Sequence, residues 1–132
     1  MATTISLAEL PGRPCPVAAS LELVGERWAL LVVREIALGN TSFTGIVRGT
    51  GAPRDRIAAR LRSLEAAGIV TRVRLGDSRR HTYRLTGAGA DLTPVLNALL
   101  AWGDRHVVAP ADPRRPSGPY RTIAQPRPDT TS

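Results

Sequence analysis

The sequence contains few residues of the kinds that build disulfides and metal sites. Its 132 residues include one cysteine, Cys15, so no disulfide can form within the chain. With His81 and His106, this cysteine gives a set too small and too scattered to predict a metal centre. No apolar run approaches the roughly 18 residues that indicate a membrane helix. The start, MATTISLAELPGRP, lacks the basic and apolar regions of a signal peptide, so we expect a cytoplasmic protein.

Catalytic motifs are also missing. The sequence shows no Ser-His-Asp arrangement and no glycine-rich loop that would cradle a phosphate. The segment GAGAD, residues 87–91, stands at the predicted start of a helix, without the strand-helix-strand context of a nucleotide-binding loop. We therefore predict a protein that is not an enzyme and that carries no cofactor.

The chain has no lysine, and all 18 of its basic residues are arginines. Codon usage in a GC-rich genome accounts for the choice of arginine but not for the placement of the arginines. Ten arginines and three acidic residues lie between Arg48 and Arg84, so this segment carries the whole net charge of +7. A localised basic region is typical of a protein that binds a polyanion. The alternative is a basic surface that meets only solvent.

The length of 132 residues corresponds to one domain. We expect an N-terminal arm over residues 1–14, a folded domain over residues 15–106 and a proline-rich tail over residues 107–132. Six prolines fall between Pro110 and Ser132, with few large apolar side chains among them. This composition predicts a disordered or extended tail.

Apolar periodicity predicts two helices at the start of the domain. Pro16 suits a first helical turn and Gly25 suits the end of that helix; between them lie apolar residues at helical spacing, Val17, Leu21 and Val24. The segment RWALLVVREIALG is apolar on nearly all sides, which predicts a buried helix closed by Gly39. Arg34 and Glu35 interrupt this segment, and we interpret them as a partly buried structural pair rather than as catalytic groups.

Two further helices are predicted in the basic region. Ser42 is placed to cap a short helix, GTGA makes a turn, and Pro53 opens a helix with the sequence PRDRIAARLRSLEAAG. One stripe of this second helix is apolar and consists of Ile57, Leu61 and Leu64. The rest of its surface is mostly polar and basic and carries Arg54, Asp55, Arg56, Ala59, Arg60, Arg62 and Ser63.

A hairpin and a long helix complete the predicted elements. IVTRVRL and RHTYRL read as strands, and GDS between them makes a tight turn. Thr86 is placed to cap the last helix, and Pro94 should kink or break it because proline removes a backbone donor. The apolar stripe of this helix is Leu92, Val95, Leu96, Leu99 and Trp102. Ala98, Leu100 and Ala101 widen it, which favours a second neighbour over burial within one subunit.

The order of these elements predicts the fold class. A short helix, a turn and a basic helix make a helix-turn-helix, and a hairpin that follows makes it a winged helix. We expect a mainly α protein with a small β-hairpin wing (α+β), in which further helices precede and follow the winged helix-turn-helix. The basic helix fits the major groove of DNA. Arg79 and Arg80, at the tip of the wing, are placed to meet phosphates.

Several linked motifs carry a family resemblance. They are a Cys-Pro start, the Gly-x-x-Trp-x-Leu-Leu of the second helix, Leu-Arg-x-Leu-Glu-x-x-Gly at the end of the basic helix, and a Leu-Thr cap. Over about residues 15–106 the chain resembles the HxlR family of bacterial winged-helix transcription regulators. The resemblance implies a homodimer, built from the terminal helices, that binds a roughly palindromic operator.

Two positions depart from the family pattern. Ala52 stands where family members usually carry serine, so a hydroxyl cap is lost before the basic helix. The wing sequence, GDSRR, is not proline-rich and is more like wings of the MarR type. These departures bear on how the wing and the start of the basic helix contact DNA.

Cys15 has two interpretations. Cysteines at this position sense oxidants in some family members, and the nearby Arg13 and the helix start would favour a thiolate. The alternative is that Cys15 is a small apolar filler.

The predicted function is a sequence-specific, double-stranded DNA-binding transcriptional regulator that acts as a homodimer. Repression is the preferred interpretation and activation the alternative, and a response to oxidants or to a small molecule stays open. The alternative is a winged-helix module that binds protein rather than specific DNA. Arg56, with Arg54 as its substitute, is expected to read guanine. The predicted DNA contacts are Arg54, Asp55, Arg56, Ala59, Arg60, Arg62, Arg79, Arg80 and His81. The predicted dimer interface is Val17, Leu21, Leu92, Val95, Leu96, Leu99 and Trp102.

Overall fold

A computed structural model describes residues 3–115 of the chain. A short 3-10 helix, Leu7–Glu9, precedes the domain. In chain order the domain then consists of α1 (Pro16–Val24), α2 (Ala29–Ala37), α3 (Phe43–Thr50), α4 (Arg54–Ala66), β1 (Val70–Arg74), β2 (His81–Leu85), α5 (Gly87–Ala90) and α6 (Thr93–His106). This is the predicted order of elements, and it makes a winged helix-turn-helix of mixed α and β structure.

The predicted helix caps are confirmed. The Ser42 hydroxyl accepts a hydrogen bond from the backbone N–H of Gly45 at 3.0 Å, at the start of α3. The Thr86 hydroxyl accepts from the N–H of Gly89 at 3.1 Å and donates to the carbonyl of Gly68 at 2.6 Å. Such caps satisfy N–H groups that have no partner within the helix. Thr86 therefore starts α5 and also ties it to the loop before β1.

The predicted break in the last helix is also found. The structure divides it into α5 and α6, and Pro94 occupies the first turn of α6. Proline is tolerated there because the first N–H groups of a helix have no carbonyl partner within it. The chain changes direction at Asp91 and Leu92, so only α6 carries the long apolar stripe.

The core lies between α2, the helix-turn-helix and the base of the hairpin. Its fully buried side chains come from each of these elements and include Val32, Val33, Ile46, Ile57, Leu64 and Val70. In α4 the buried residues are Ile57, Leu61 and Leu64, which is the predicted stripe. Burial of each such side chain contributes about 1.5–3 kcal/mol, so α4 is fixed to the domain by its apolar side.

The wing is a two-stranded antiparallel hairpin. Val70 pairs with Leu85 and Arg74 with His81, and the N–H of Leu75 donates to the carbonyl of Arg80 at 3.0 Å. The loop turns through Gly76, whose φ of +56° is a conformation that glycine adopts without steric cost. The hairpin is also joined to the helix-turn-helix, because the N–H of Tyr83 donates to the carbonyl of Thr41 at 2.9 Å.

The two ends of the described chain both contact the domain. The N–H of Thr3 donates to the carbonyl of Ala67 at 2.7 Å, so the predicted arm meets the end of α4. After α6, Arg115 forms an ion pair with Asp104, and this hydrogen bond raises the pKa of Arg115. Of the predicted tail, residues 116–132 lie outside the described residues. Within residues 3–115, no helix has the length and apolar character needed to cross a membrane.

Candidate nucleic-acid interface

The helix α4 has one buried side and one outward side. Pro53, with φ at −59°, sets the entry of the chain, and no side-chain hydrogen bond caps the helix, as expected from Ala52. Residues at spacings of three, four and seven lie along one helix face. Ile57 and Leu61 define the buried side, whereas Asp55, Ala59 and Arg62 share the opposite row. Because this row points away from the core, it is the part of α4 that would enter a groove.

Three arginines of α4 are free of acidic partners within residues 3–115. Arg54, Arg56 and Arg62 are exposed, and Asp55 between them is exposed as well. The outer surface of α4 therefore combines several unneutralised guanidinium groups with one carboxylate. Guanidinium groups can donate two hydrogen bonds to guanine, and a carboxylate can accept from cytosine.

Arg60, by contrast, is already engaged. Its Nε lies 2.9 Å from Oε2 of Glu26, in the link between α1 and α2, and its side chain is 27% exposed. The second oxygen of Glu26 accepts a hydrogen bond from the N–H of Trp28, so the carboxylate is held from two sides. Arg60 therefore connects α4 to the start of α2 in this structure. The sequence prediction grouped Arg60 with the DNA contacts because the partner, 34 residues earlier in the chain, was not visible.

Arg54 is oriented by an aromatic ring. Its Cζ atom lies 4.9 Å from the centre of the Phe43 ring, at the first position of α3. A guanidinium within about 6 Å of a ring centre is attracted to the negative face of the ring. Phe43 packs against the core with its remaining surface. The side chain of Arg54 is thus directed toward α3 rather than along the outward row of α4.

The wing presents two further arginines. Arg79 and Arg80 are exposed and have no acidic partner among residues 3–115. The turn that carries them is organised by Ser78, whose hydroxyl donates to the carbonyl of Leu75 at 2.7 Å and accepts from the N–H of Arg80 at 3.1 Å. Arg74 donates from Nε to the carbonyl of Ser78 at 2.9 Å. These hydrogen bonds give the tip a defined shape and leave its two guanidinium groups facing solvent.

The other residues near the wing are less available. His81 is half-buried and lies opposite Arg74 in the hairpin, below the tip rather than on it. Arg72 lies 3.8 Å from Glu65 of α4, which links the first strand to α4. Among residues 3–115, the exposed surface of α4 and the wing tip are therefore two regions where arginines have no acidic partner.

A buried polar cluster supports the helix-turn-helix from within. Glu35 is 6% exposed and accepts hydrogen bonds from Arg34 Nε at 2.9 Å and Asn40 Nδ2 at 3.0 Å. Asn40 also donates to the carbonyl of Gly45 at 2.7 Å, and Arg34 donates to that of Gly49 at 3.0 Å. The cluster confirms the interpretation of Arg34 and Glu35 as a structural pair. It holds both ends of α3 against α2.

Glycine at position 49 belongs to the same cluster. A β-carbon placed there would overlap Oε1 of Glu35. The sequence signalled the charged pair but not this packing, because a glycine inside a short helix is compatible with several causes. Asn40 likewise carries no sequence signal that connects it to Glu35.

The predicted dimer residues fall into two groups. Five are large apolar side chains that remain exposed on α1 and α6: Val17 (68%), Leu21 (56%), Val95 (41%), Leu99 (52%) and Trp102 (58%). Leu92 is half-buried, and Leu96 is 6% exposed and belongs to the core of the subunit. Leu96 therefore offers almost no surface to a second subunit, because its side chain is already buried within its own subunit. The five exposed residues are named the apolar faces of α1 and α6 below.

Cys15 stands at the N-cap of α1. It is half-buried, and its side chain makes no capping hydrogen bond. Among residues 3–115, no group of three histidine, cysteine, aspartate or glutamate side chains is arranged to hold a metal ion.

Fold and interface define a winged helix-turn-helix protein, and the sequence comparisons identify its family. A family model described as HxlR-like helix-turn-helix matches residues 23–110, and the chain belongs to this family. A Mycobacterium tuberculosis protein named as an uncharacterised HTH-type transcriptional regulator is 44% identical over 98 residues, which are 74% of this chain and 62% of that protein. The chain thus spans less than two thirds of the length of its mycobacterial relatives.

Solved structures of similar proteins agree with the fold. PA1607, a proposed transcription factor, has a TM-score of 0.71 and 31% identity, with 89% of this chain and 87% of that chain covered. The reduced form of the transcriptional regulator YodB from Bacillus subtilis has a TM-score of 0.61 and 30% identity, with coverages of 74% and 98%. Transcriptional regulators are a non-enzymatic class, in agreement with the prediction that the chain is not an enzyme.

Proposed function

We propose that the protein is a transcriptional regulator that binds double-stranded DNA as a homodimer and represses the genes next to its operator. The observation that carries the proposal is the placement of unpaired arginines. They lie on the outer side of α4 and at the tip of the wing, while Arg60 and Arg72 nearby are paired with glutamates. Unpaired positive charge on a groove-sized helix and on an adjoining hairpin fits the shape and charge of duplex DNA.

In this proposal α4 enters the major groove and reads sequence. Arg56 lies in the first turn of α4, is exposed, and has no acidic partner among residues 3–115 that would have to be released. Bidentate contact of one arginine with one guanine contributes about 1–3 kcal/mol of discrimination. Asp55 and Arg62, on the outward row, would contact neighbouring bases or the groove wall.

The wing supplies affinity rather than selectivity. Arg79 and Arg80 project from a turn whose hydrogen bonds fix its backbone. Contacts of such groups with phosphates position a protein on DNA but carry no sequence information. Since the hairpin is hydrogen-bonded to the helix-turn-helix at Tyr83 and Thr41, the wing and α4 would approach DNA as one unit.

The homodimer would form through the apolar faces of α1 and α6. A two-fold symmetric dimer presents two copies of α4, and a palindromic operator mirrors that symmetry. Repression follows most simply, because a dimer that covers an operator blocks access of the polymerase to the same DNA. The site of action is then the cytoplasm, where bacterial DNA lies.

An oxidant response through Cys15 is part of the proposal. The thiol lies at the start of α1, beside the proposed dimer face, so a change there would alter subunit contact. The neighbour YodB has been crystallised both reduced and after treatment with diamide, a thiol oxidant. With one cysteine per chain, oxidation can join two subunits or attach a small thiol.

A salt titration of two variants tests the division of roles. The operator is first obtained by sequencing genomic fragments that co-purify with the protein. Arg79→Ala combined with Arg80→Ala should weaken binding to operator and to scrambled duplex by the same factor. It should also flatten the salt dependence, by about 0.9 in the logarithmic slope for each phosphate that the variant no longer neutralises.

Arg56→Ala removes one such contact in each subunit, so it should instead cost about 30-fold or more on the operator and little on the scrambled duplex. If the wing variant loses selectivity while Arg56→Ala does not, the two elements have been assigned in the wrong order. A wild-type protein that binds neither duplex would favour the second function, a winged-helix module that binds protein.

A further inference from the structure

Arg54 differs from the other unpaired arginines of the interface because it is held in place. Its Cζ atom lies 4.9 Å from the centre of the Phe43 ring. Phe43 packs against the core at the first position of α3, so the ring itself has little freedom. No acidic group among residues 3–115 forms an ion pair with Arg54, so its charge remains available to an anion.

The position of Arg54 on α4 determines which part of a duplex it can meet. Arg54 shares a helix row with Ile57 and Leu61, three and seven residues later, and both are buried. It therefore leaves α4 on the flank beside α3, about a quarter turn from the outward row that contains Asp55. When the outward row lies in the major groove, this flank lies at the groove edge, where the preceding helix crosses the phosphate backbone.

We propose that Arg54 is a phosphate anchor and that Phe43 is the positioning residue that holds it there. The inference rests on the proposed DNA-binding function and assigns Arg54 a contact different from base reading. It also leaves guanine reading to Arg56, which no ring or carboxylate in the described part of the chain directs elsewhere.

The stacking matters because a free arginine loses conformational entropy when it contacts a phosphate. A guanidinium already placed by Phe43 loses less of this entropy on binding. The contribution is the same for every sequence, since phosphates are identical along the duplex. Phe43 therefore raises affinity for operator and non-operator DNA together and does not alter the ratio between them.

The experiment is a salt titration of Arg54→Ala on the co-purified operator and on a scrambled duplex of equal length. We expect binding to both duplexes to fall by the same factor, and the logarithmic salt slope of the dimer to decrease by about 1.8, for one phosphate per subunit. A selective loss on the operator would overturn the proposal, because Arg54 would then read a base.

The role of Phe43 needs variants that separate positioning from folding. Phe43→Leu should weaken binding of the dimer to both duplexes about fivefold, the lower end of the cost of ordering one free arginine side chain in each of two subunits. Phe43→Tyr keeps a ring that attracts the guanidinium and should restore binding. Val47→Ala is the matched control, because Val47 also packs from α3 against the core but has no aromatic ring to hold a guanidinium. It should leave DNA affinity unchanged at a temperature where all variants are folded.

A double variant completes the test. Phe43→Leu combined with Arg54→Ala should bind DNA no more weakly than Arg54→Ala alone, because the ring acts only through the guanidinium. If the leucine substitution costs as much in the Arg54→Ala background as in the wild type, the positioning role is overturned. If the wild type binds DNA and Arg54→Ala binds with the same affinity, this inference is overturned but the proposed function is not. If the wild type itself does not bind DNA, the proposed function is overturned as well.

Discussion

Replacement of Leu99 by alanine tests the proposed dimer most directly. Leu99 is 52% exposed on α6, and full burial of a leucine side chain contributes about 1.5–3 kcal/mol. The half that remains exposed would therefore contribute about 1 kcal/mol when a second subunit covers it. Leu99 occurs twice in a symmetric dimer, so the substitution should cost about 2 kcal/mol of association, or roughly a 30-fold rise in the dimer dissociation constant.

The matched control is Leu38→Ala. Leu38 is similarly exposed, at 59%, but it lies at the C-cap of α2 and belongs to neither α1 nor α6. Because both substitutions remove the same atoms from solvent-exposed leucines, the stability of the subunit should change little in either. Any difference between them then reports on association.

Sedimentation equilibrium over a range of protein concentrations measures the effect. The wild type and Leu38→Ala should sediment at about twice the chain mass of 14.1 kDa at micromolar concentration, and Leu99→Ala should shift toward the monomer. If the two variants have the same dissociation constant, α6 does not form the interface. A wild type that is monomeric at these concentrations and still binds its operator tightly would also refute the reasoning.

Two further variants test the fold and the oxidant response. Gly49→Ala should lower the free energy of unfolding by about 2–4 kcal/mol, because the new β-carbon displaces the buried Glu35 carboxylate; denaturant titration measures this. Gly87→Ala, which meets open space, is its control and should change stability by less than about 0.5 kcal/mol. Cys15→Ser should abolish any change of operator affinity caused by diamide. A response that persists in Cys15→Ser would remove this residue from the mechanism.

The sequence predicted the elements of the fold well because their signals are local. Ser42 and Thr86 cap helices within three residues of their own positions, and the last helix breaks just before the turn that contains Pro94. The apolar stripe of α4 follows from a period of 3.6 residues alone. Local patterns of this kind do not depend on how the elements pack, so they can be recognised in a single sequence.

The contacts that decide which arginines are available are not local. Glu26 lies 34 residues before Arg60, and Phe43 lies 11 residues before Arg54, so neither contact follows from helix periodicity. Contacts between elements also decide which residues of the α6 stripe are buried and which are exposed. Leu96 and Leu99 look equivalent on a helical wheel, but the core reaches only Leu96. Packing between elements, not propensity, determines these differences.

The basic segment can now be divided by what each guanidinium already does. Of its ten arginines, Arg60 and Arg72 pair with glutamates, Arg74 bonds a carbonyl of the wing turn, and Arg54 stacks on Phe43. The other six have no side-chain hydrogen bond or ion pair within residues 3–115: Arg48, Arg56, Arg62, Arg79, Arg80 and Arg84.

The paired arginines link elements of the domain, and their charge is offset before any ligand arrives. The unpaired ones retain full charge, and they have no side-chain partner among residues 3–115 that a phosphate or a base would displace. Net charge alone treats all ten alike, whereas the partners within the fold separate arginines that hold α4 and the wing to the domain from arginines that remain available to a ligand. This separation makes Arg56 and Arg60, on the same helix and four residues apart, an informative pair for substitution.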